Sequence, residues 1–433
     1  MIKSIKVSGF KLFEKEVALN LSPIVKNAQH LAENIINVDK SKKVLKAAVI
    51  YGVNNSGKSS IIQAVEVFRQ IYMQGEIGKF PFIQLMNFAN DTDKITYEIT
   101  FYQDSKEIVY GIAFKNNYQF DEYLSINGQL FFKKDDNDNY STDINNSQYE
   151  KAIKEVPTDK LIVPYICNNN LNNNESNKEL LEFRLVDKFF KRLRFIDNDN
   201  VSIDSRTLLK MENDAGRLKI LDKLIESSPL YVDKRTILTR KELLNSDDYL
   251  KYAEKNLLEK QYYDDEINSS LDAHRILSHY KTGNGKNIVR PSFLFDSSGT
   301  NKFINLSIEI INALLDGEIL LIDNFDNSLH FMLTQALIKL INSEVNNQSQ
   351  FIISTHDVKL LSPKLLRKDQ INFTVRDDYP SIVRLDEFKA NSDVDVRSDS
   401  NFEKMYTEEK FFDLTETDIC EVIAAIKQYL NNA

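Results

Sequence analysis

The stretch GVNNSGKSS, Gly52 to Ser60, decides the fold of this chain. It fits the phosphate-binding pattern G-x-x-x-x-G-K-[ST], with Gly57, Lys58 and Ser59 at the defined positions. The glycines let the backbone curl so that successive N–H groups point at phosphates, and a following helix presents its positive end to them. Lys58 is predicted to reach the β- and γ-phosphates, and the Ser59 hydroxyl is predicted to ligate magnesium. The predicted nucleotide-binding residues of this loop are Gly52, Asn54, Asn55, Ser56, Gly57, Lys58, Ser59 and Ser60.

The sequence on both sides of the loop supports this interpretation. The apolar run VLKAAVIY, Val44 to Tyr51, predicts a buried strand before the loop. The segment SSIIQAVEVFRQIYMQ, which begins at Ser59, has apolar residues at helical spacing. A strand, a glycine-rich loop and a helix in this order are the setting that confirms a phosphate loop, so a chance glycine turn is disfavoured.

Composition limits the class of protein. With 433 residues, 42% hydrophobic and 27% charged, the chain is long enough for two or three folding units with a large core. The two cysteines, Cys167 and Cys420, are far apart and favour a reducing compartment over a disulfide framework. No apolar run has the length of a membrane span and the N-terminus has no signal-peptide core, so we expect a cytoplasmic protein without membrane partners. A net charge of -9 disfavours nucleic-acid binding through the whole surface.

The order of patterns along the chain predicts an α/β protein with inserted subdomains. Strand-like runs extend from Ile95 to Phe132, and the Asn127-Gly128 pair within them predicts a hairpin turn. Helical patterns follow up to about Tyr263, interrupted by Asn-rich loops, after which strands and helices alternate again. We therefore predict an N-terminal lobe with a β subdomain over residues 1–155, a helical insertion over 156–270, and a C-terminal lobe over 271–433.

A second motif lies in LLIDNFDNSLH, Leu320 to His330. Its apolar start predicts a buried strand, and Asp323 at the strand end is a candidate magnesium-side carboxylate. Many strands end in aspartate, so this assignment depends on the phosphate loop upstream. The next residue is Asn324, at the position where a nucleotide hydrolase would keep the glutamate that activates water.

Two further segments carry groups suited to a phosphate. DSSGTNKFINLS, Asp296 to Ser307, opens an apolar helix with small hydroxyl residues and predicts a second helix N-terminus that holds an anion. Taken alone, it reads as an ordinary capped helix. FIISTHD ends a predicted strand at His356, which lies within reach of the γ-phosphate if the two strands are neighbours, although a lone histidine is more often structural.

In this order, the motifs resemble those of the ABC-type ATPase heads. GVNNSGKS resembles the Walker A motif, SSGT the signature, ILLID the Walker B, DNSLH the D-loop and STH the H-loop. The resemblance implies an ABC-ATPase head, a P-loop α/β fold of a mixed sheet with flanking helices, an antiparallel β subdomain and a helical insertion. It also implies head-to-tail dimers with two ATP molecules and Mg²⁺ between them. Each nucleotide would contact the phosphate loop of one chain and, in its mate, Ser297, Ser298, Gly299 and Thr300.

The motifs resemble most closely the AAA-type ATPases of prokaryotic abortive-infection loci, the AbiL/RloA-like group, related to the SMC and OLD-type proteins. STHDVKLLSPKLLRKDQINF, which contains Arg367 and Asp369, carries part of that resemblance. It implies antiphage defence, with the ATPase working as a dimer or higher oligomer beside an effector protein, a nuclease or toxin encoded nearby.

Asn324 is the main departure from that family. An amide does not accept a proton usefully, although it still holds a water by hydrogen bonds. Loss of a general base costs about 10²–10⁴-fold in rate, so we expect ATP binding and dimer closure with slow turnover. Asp326 is a weak candidate for a substitute base. The predicted catalytic residues are Asn324, His356 and Asp323, with Ser59 and Asp323 on the metal.

Three alternatives stay open at this point. Asn324 also fits a nucleotide-gated scaffold without meaningful catalysis. A DNA repair or recombination ATPase would need a long coiled coil, for which the helical middle is too short. A nucleic-acid contact through DKFFKRLRF, Asp187 to Phe195, is weighed against an amphipathic helix with a solvated basic face, and the second is favoured in an acidic protein.

Overall fold

The fold is taken from a computed structural model of the chain. The structure describes residues 1–24, 30–78, 82–87, 94–169, 177–197, 203, 205–239, 242, 275–281, 283–376, 379–387, 396–408, 423, 426 and 428. It is an α/β protein in which a mostly parallel sheet and a separate antiparallel sheet share one large core. The predicted fold class is confirmed. Among these residues, no helix has the length and apolar character needed to cross a bilayer.

A six-stranded sheet positions the predicted motifs. Its order is β11-β15-β16-β5-β17-β18, and all neighbours are parallel except the last pair. Because parallel strands end at one edge of a sheet, the residues that follow β5, β15 and β16 meet there. The bounds are β5 Ala47–Tyr51, β11 Leu193–Asp197, β15 Ile319–Asp323, β16 Gln350–Ser354, β17 Ile371–Arg376 and β18 Pro380–Arg384.

Both faces of this sheet are covered, which explains the continuous apolar runs of its central strands. Successive side chains of a central strand point to opposite faces of the sheet and pack in two different hydrophobic cores. In β15, Ile319 and Leu321 pack with helix α1 (Lys58–Gln74) and the antiparallel sheet, whereas Leu320 and Ile322 pack with helices on the opposite face. The Walker-like strands are therefore held rigidly on two sides.

The antiparallel sheet has seven strands in the order β10-β9-β8-β7-β6-β1-β2. The N-terminal strands β1 and β2 pair with each other, and Ile5 lies opposite Leu19. Asn127 and Gly128, with φ of 50° and 80°, form the predicted two-residue turn. The bounds are β1 Ile2–Ser8, β2 Val17–Asn20, β6 Lys94–Gln103, β7 Lys106–Lys115, β8 Phe120–Ile126, β9 Gln129–Lys134 and β10 Tyr140–Ser141.

Two small sheets complete the strands. One pairs β3 (Ile35–Asn37) with β4 (Lys43–Leu45), and the other has the order β12-β13-β14, with β12 Lys234–Ile237, β13 Ile276–Lys281 and β14 Asn287–Pro291. The helices after α1 are α2 Phe82–Leu85, α3 Ser147–Lys154, α4 Ile162–Asn169, α5 Lys178–Arg192, α6 Ser205–Glu212, α7 Ala215–Glu226, α8 Ser292–Phe295, α9 Ser298–Asp316, α10 Phe331–Asn342 and α11 Phe402–Thr407. Short 3-10 turns cover Ala32–Asn34, Val358–Leu360 and Lys368–Gln370.

Some elements differ from the sequence prediction. The run Val44 to Tyr51 is two strands, because β4 and β5 pair in different sheets. The helical pattern through Phe195 ends at Arg192, and β11 then joins the core sheet beside β15. The predicted insertion thus contains a core strand. The last part of the predicted helical region, residues 240–263, lies outside the described residues, apart from residue 242.

The four cations of the segment 187–195 contact acceptors of the same chain. Lys191 pairs with Asp187 at 2.6 Å, and Arg194 pairs with Glu309 at 3.0 Å. The cations are Lys188, Lys191, Arg192 and Arg194, and their partners are Asp104, Asp187, the Gly317 carbonyl and Glu309. These contacts favour the amphipathic-helix interpretation over a nucleic-acid contact.

Arg367 and Asp369, which matched the family pattern, form a buried ion pair. The guanidinium Nη2 lies 2.8 Å from Asp369 Oδ2, and the two side chains are 2% and 0% exposed. Asp369 Oδ2 also accepts a hydrogen bond from the Ile24 amide at 2.7 Å. The pair thus fastens the segment after β2 to the sheet, which is a structural role.

Candidate nucleotide-binding site

The loop between β5 and α1 has space only for glycine at two positions. At Gly52, with φ of 155°, an added β-carbon would stand 2.1 Å from Thr374 Oγ1. At Gly57, with φ of 110°, it would meet the Phe13 ring at 2.9 Å. Because side chains are excluded there, the loop backbone is free to approach a phosphate closely. Ser56 Oγ fixes the curl by donating to the Val53 carbonyl at 2.7 Å.

Lys58 is the first residue of α1, and its ammonium lies over the loop. Its Nζ donates to the Gly52 carbonyl at 2.8 Å and to the Val53 carbonyl at 2.9 Å. The side chain is only 6% exposed, and burial lowers its pKa to about 8, against the opposing effect of Asp323 and Asp326. A buried cation with carboxylates on one side is suited to bind a polyanion, whose charge would offset the cost of burial.

The other predicted loop residues lie where the motif requires. Asn54 and Asn55 are exposed at the loop tip, and Asn55 adopts a left-handed φ of 58°. Ser59 is half-buried in the first turn of α1, and Ser60 is buried behind it. The Ser59 hydroxyl is therefore the one placed beside the helix N-terminus, where a metal bound to phosphates would need an oxygen ligand.

Asp323 and Asn324 lie at the carboxyl end of β15, next to β16. Ser354, the last residue of β16, donates its hydroxyl to Asp323 Oδ1 and accepts a hydrogen bond from the Asn324 amide at 2.9 Å. Asn324 has a left-handed φ of 53°. Asparagine tolerates this conformation better than most residues. Ser354 was not among the predicted site residues, although it bonds to both Asp323 and Asn324. The only available signal was a serine at the end of a strand predicted to neighbour β15.

The segment after Asn324 is joined to the H-loop by Asp326. Its Oδ1 accepts hydrogen bonds from Thr355 Oγ1 at 2.6 Å and from the His356 amide at 3.0 Å. One oxygen of this carboxylate is thus engaged in holding backbone, which disfavours Asp326 as a substitute base. His356 reaches solvent, and its pKa is lowered, first by partial burial and then by the charge of Lys58. A neutral imidazole next to the phosphate loop can accept or donate a hydrogen bond there.

The signature-like segment forms a capped helix N-terminus, as predicted. Ser297 Oγ accepts a hydrogen bond from the Thr300 amide at 3.1 Å and contacts the Thr300 hydroxyl at 2.9 Å. A β-carbon on Gly299 would stand 2.6 Å from the Ser328 carbonyl, so the helix end packs directly on the D-loop. Ser297 and Ser298 are exposed. Within the described residues, no hydrogen bond or ion pair joins Ser297–Thr300 to the phosphate loop of the same chain.

The residues present fit a nucleoside triphosphate with Mg²⁺. The glycine positions leave a backbone cradle, and Lys58 and the α1 N-terminus supply positive charge for phosphates. The Ser59 hydroxyl and the Asp323 carboxylate are oxygen ligands of the kind that Mg²⁺ takes alongside phosphates and water. In the described part of the chain, no group of three or more His, Cys, Asp or Glu side chains could hold a metal by itself. Bound Mg²⁺ would neutralise charge on the transferred phosphoryl group.

Comparison with solved structures gives matches at low identity and low TM-score. No match was found among curated protein sequences. The SMC head domain from Thermotoga maritima aligns with 14% identity and a TM-score of 0.43, over 88% of this chain and 98% of that chain. An SmcHead bound to the C-winged helix domain of ScpA aligns with 17% identity and a TM-score of 0.41, over 88% and 97%. An Smc head domain with an extended coiled coil, bound to the C-terminal domain of ScpA derived from Pyrococcus furiosus, gives 14% identity and a TM-score of 0.37, over 88% and 95%.

One family model covers the whole site. The model described as "AAA domain, putative AbiEii toxin, Type IV TA system" matches residues 47–362. That range begins at the strand before the phosphate loop, ends just after the H-loop segment, and spans more than half of the chain. It therefore includes Lys58, the segment 297–300, Asp323 and His356. The chain belongs to this AAA-domain family of ATPases.

Proposed function

We propose that this chain is the ATP-binding subunit of an antiphage, abortive-infection type defence system. It binds ATP with Mg²⁺, associates head-to-tail with a second copy, and in this state controls a nuclease or toxin effector. The family's description as a putative AbiEii toxin-type AAA domain supports a role of this kind. The Ser297–Thr300 helix end, where Ser297 and Ser298 are exposed, supports shared nucleotide sites, because a helix N-terminus is suited to bind an anion and, among the described residues, this one makes no hydrogen bond to the phosphate loop of its own chain.

The observation that carries the proposal is the arrangement around Lys58. The ammonium donates hydrogen bonds to the Gly52 and Val53 carbonyls of a loop that has space only for glycine at two positions. Asp323 is close enough to oppose the lowering of the Lys58 pKa by burial, and Lys58 in turn contributes to the lowered pKa of His356. Three motifs separated by some 300 residues of sequence thus meet at one edge of the sheet. A cation, a metal-side carboxylate and a neutral imidazole around a glycine cradle are the groups needed to hold a triphosphate.

Asn324 sets the expected rate of ATP turnover. In this proposal Lys58 and Ser59 bind and orient the phosphates, and His356 hydrogen-bonds to them. The Asn324 amide cannot remove the proton from the attacking water. The Asp326 carboxylate is held by Thr355 and the His356 amide. Hydrolysis is therefore slow, and the ATP-bound dimer is long-lived.

The proposal is tested by single-turnover hydrolysis with Mg²⁺, together with oligomer mass measured with and without ATP. Three proteins are compared: the native chain, Asn324→Glu and Lys58→Ala. We expect the native chain to bind ATP and to assemble. Asn324→Glu should hydrolyse ATP roughly 10²–10⁴-fold faster than the native chain. Lys58→Ala should neither bind ATP nor assemble. A native chain that stays monomeric with ATP would contradict the shared-site proposal. Equal rates for the native chain and Asn324→Glu would show that another residue acts as the base.

A nucleotide-gated scaffold is the second candidate, and Asn324 favours it. In that case ATP drives assembly and effector contact, but no turnover is needed for either. The two candidates differ in how the dimer ends, because a slow ATPase dissociates when its own nucleotide is hydrolysed. Dimer lifetime would be measured after free ATP is removed. If Asn324→Glu shortens the dimer lifetime in proportion to its faster ATP hydrolysis, the ATPase is supported. If the dimer lifetime does not depend on the rate of hydrolysis, the scaffold is supported.

A further inference from the structure

A buried cluster lies immediately before the signature-like segment. Its centre is Asp296, the residue between α8 and Ser297, whose side chain is 1% exposed. Its Oδ2 accepts hydrogen bonds from Ser278 Oγ at 2.7 Å and from Ser292 Oγ at 2.8 Å. Its Oδ1 accepts a further hydrogen bond from the Tyr280 hydroxyl. This carboxylate is not part of the nucleotide site described above, yet it is the residue next to the helix end that would face a partner's nucleotide.

Arg235 supplies the charge that balances Asp296. Its Nη2 lies 2.6 Å from Asp296 Oδ2, and its side chain is fully buried. Within the part of the chain that the structure describes, the guanidinium contacts Asp296 as an ion pair, and its Nε, Nη1 and Nη2 make no hydrogen bond. Burial lowers the pKa of Arg235, and the charge of Asp296 opposes that effect. Among the described residues, the Asp296 carboxylate is therefore the main group that balances this buried charge.

The cluster connects the small sheet to the signature helix α9. Ser278 and Tyr280 alternate along β13 and thus lie on one face of it, and Arg235 is directly opposite Ser278 on β12. The Asn301 side chain, in the first turn of α9, donates to the Ser292 carbonyl at 3.2 Å. One face of the β12–β13 pair therefore contacts Asp296, the residue directly before Ser297, the N-cap of α9.

We propose that Asp296 is a positioning residue, through which Arg235 and the β12–β13 pair fix the orientation of the Ser297–Thr300 helix end toward the nucleotide of a second copy. The inference rests on the proposed head-to-tail assembly. According to this inference, the position of the small sheet β12-β13-β14 controls how strongly two copies associate in the presence of ATP. A displacement of that sheet would withdraw the helix end from the shared site and leave the chain's own phosphate loop unchanged.

The far end of α9 offers a matched control. Arg217 Nη2 pairs with Asp316 Oδ1 at 2.5 Å, and its Nη1 hydrogen-bonds to Asn312 Oδ1 at 2.6 Å. Like Arg235, Arg217 is an arginine outside α9 that is paired to an aspartate at one end of that helix. Its loss removes an ion pair about fifteen residues away from the signature-like segment, with side chains that are 13% and 25% exposed against 0% and 1% for Arg235 and Asp296. A purely stabilising role predicts a larger loss of overall stability in Arg235→Met, but no loss of protection that is confined to the start of α9.

The test compares Arg235→Met, Arg235→Lys, Tyr280→Phe and Arg217→Met in the full-length chain. Hydrogen exchange is measured on the nucleotide-free protein, at the amides of residues 301–304. We expect exchange there to rise at least ~10-fold in Arg235→Met, since removing the positive partner of a buried carboxylate changes a local equilibrium by about one decade or more. Tyr280→Phe gives a smaller rise, Arg235→Lys restores most of the protection, and Arg217→Met leaves these amides unchanged. Unchanged exchange in Arg235→Met and Tyr280→Phe, or an equal rise in Arg217→Met, overturns the inference.

Function is measured on the same variants as binding of a fluorescent ATP analogue and as ATP-driven change in mass. We expect Arg235→Met to bind the analogue as the native chain does and to require roughly 10-fold more protein to associate. If Arg235→Met is too unstable to purify, Tyr280→Phe decides by the same two measurements. A native chain that fails to associate refutes the proposed function, whereas the exchange result still decides whether Asp296 positions the helix end. Equal loss of analogue binding and association would assign the cluster to general stability and overturn the inference.

Discussion

Gly52→Ala gives the sharpest test of the phosphate loop. The added β-carbon would stand 2.1 Å from Thr374 Oγ1, 2.6 Å from Ser56 Oγ and 2.8 Å from the Thr374 carbonyl. Ordinary contacts of a β-carbon begin at about 3.4 Å, so the loop or β17 must move by more than 1 Å. Because β17 is paired with β5 at residues 371–373 and with β18 at residues 372–376, we expect the loop to move.

The size of the effect follows from that displacement. A misplacement of about 1 Å in a binding site costs on the order of 10²-fold, and overpacking of this kind destabilises by about 1–3 kcal/mol. Gly52→Ala should therefore weaken binding of a fluorescent ATP analogue by about two orders of magnitude and abolish the rise in melting temperature that ATP causes.

Gly78→Ala is the matched control, because a β-carbon there has no atom within 4 Å. It should bind the analogue like the native chain and melt at the same temperature within error. Native affinity in Gly52→Ala would refute the assignment of Gly52 to the phosphate cradle. Equal losses in both alanine variants would show that the assay reports general stability instead of loop geometry.

Other predictions concern the buried charges. Lys58→Met should lose the stabilisation by ATP. Without ATP it should melt no lower than the native chain, because burial of this ammonium is unfavourable, as its lowered pKa shows. A clearly lower melting temperature without ATP would contradict this prediction. Ser354→Ala removes a hydrogen bond to Asp323 and should weaken Mg²⁺-dependent analogue binding more than Mg²⁺-free binding, and equal effects would argue against a metal role. The Glu122 carboxyl is fully buried and its pKa is raised by burial to about 7. Because the pKa is higher in the folded than in the unfolded state, the folded state favours the protonated carboxyl. Relative to Glu122→Gln, the native chain should therefore lose up to about 3 kcal/mol of unfolding free energy as the pH rises from 4.5 to 7. Urea unfolding of the two proteins measures this difference. Parallel pH profiles of the two proteins would refute it.

Local patterns were sufficient for the elements that carry the nucleotide motifs. The phosphate loop, the strands β15 and β16, and the capped start of α9 are each specified within about fifteen residues of sequence. Their apolar runs, glycines and cap residues act on neighbouring backbone, so periodicity and turn chemistry predict them. The hairpin at Asn127-Gly128 was predictable for the same reason, because two residues with positive φ fix the turn.

Contacts between distant residues were not predictable in this way. β11 reads as the end of a helix because LRFID has no turn signal before it, and only its pairing with β15 makes it a strand. Ser354 bonds to Asp323 across neighbouring strands, 31 residues apart in sequence. Arg235 and Asp296 lie in different elements, and nothing in either local pattern distinguishes them from surface charges.

The sequence by itself determined that this chain carries the phosphate-loop pattern, an aspartate at the end of an apolar strand and an asparagine directly after it, because these depend on residue type and spacing. Only the tertiary structure decided which side chains meet at the edge of the parallel sheet and how α9 is fastened. The physical reason is that hydrogen bonds and ion pairs are short-range in space, whereas the residues that make them are far apart along the chain. Lys58, Asp323 and His356 become one site only when β5, β15 and β16 pair in that order.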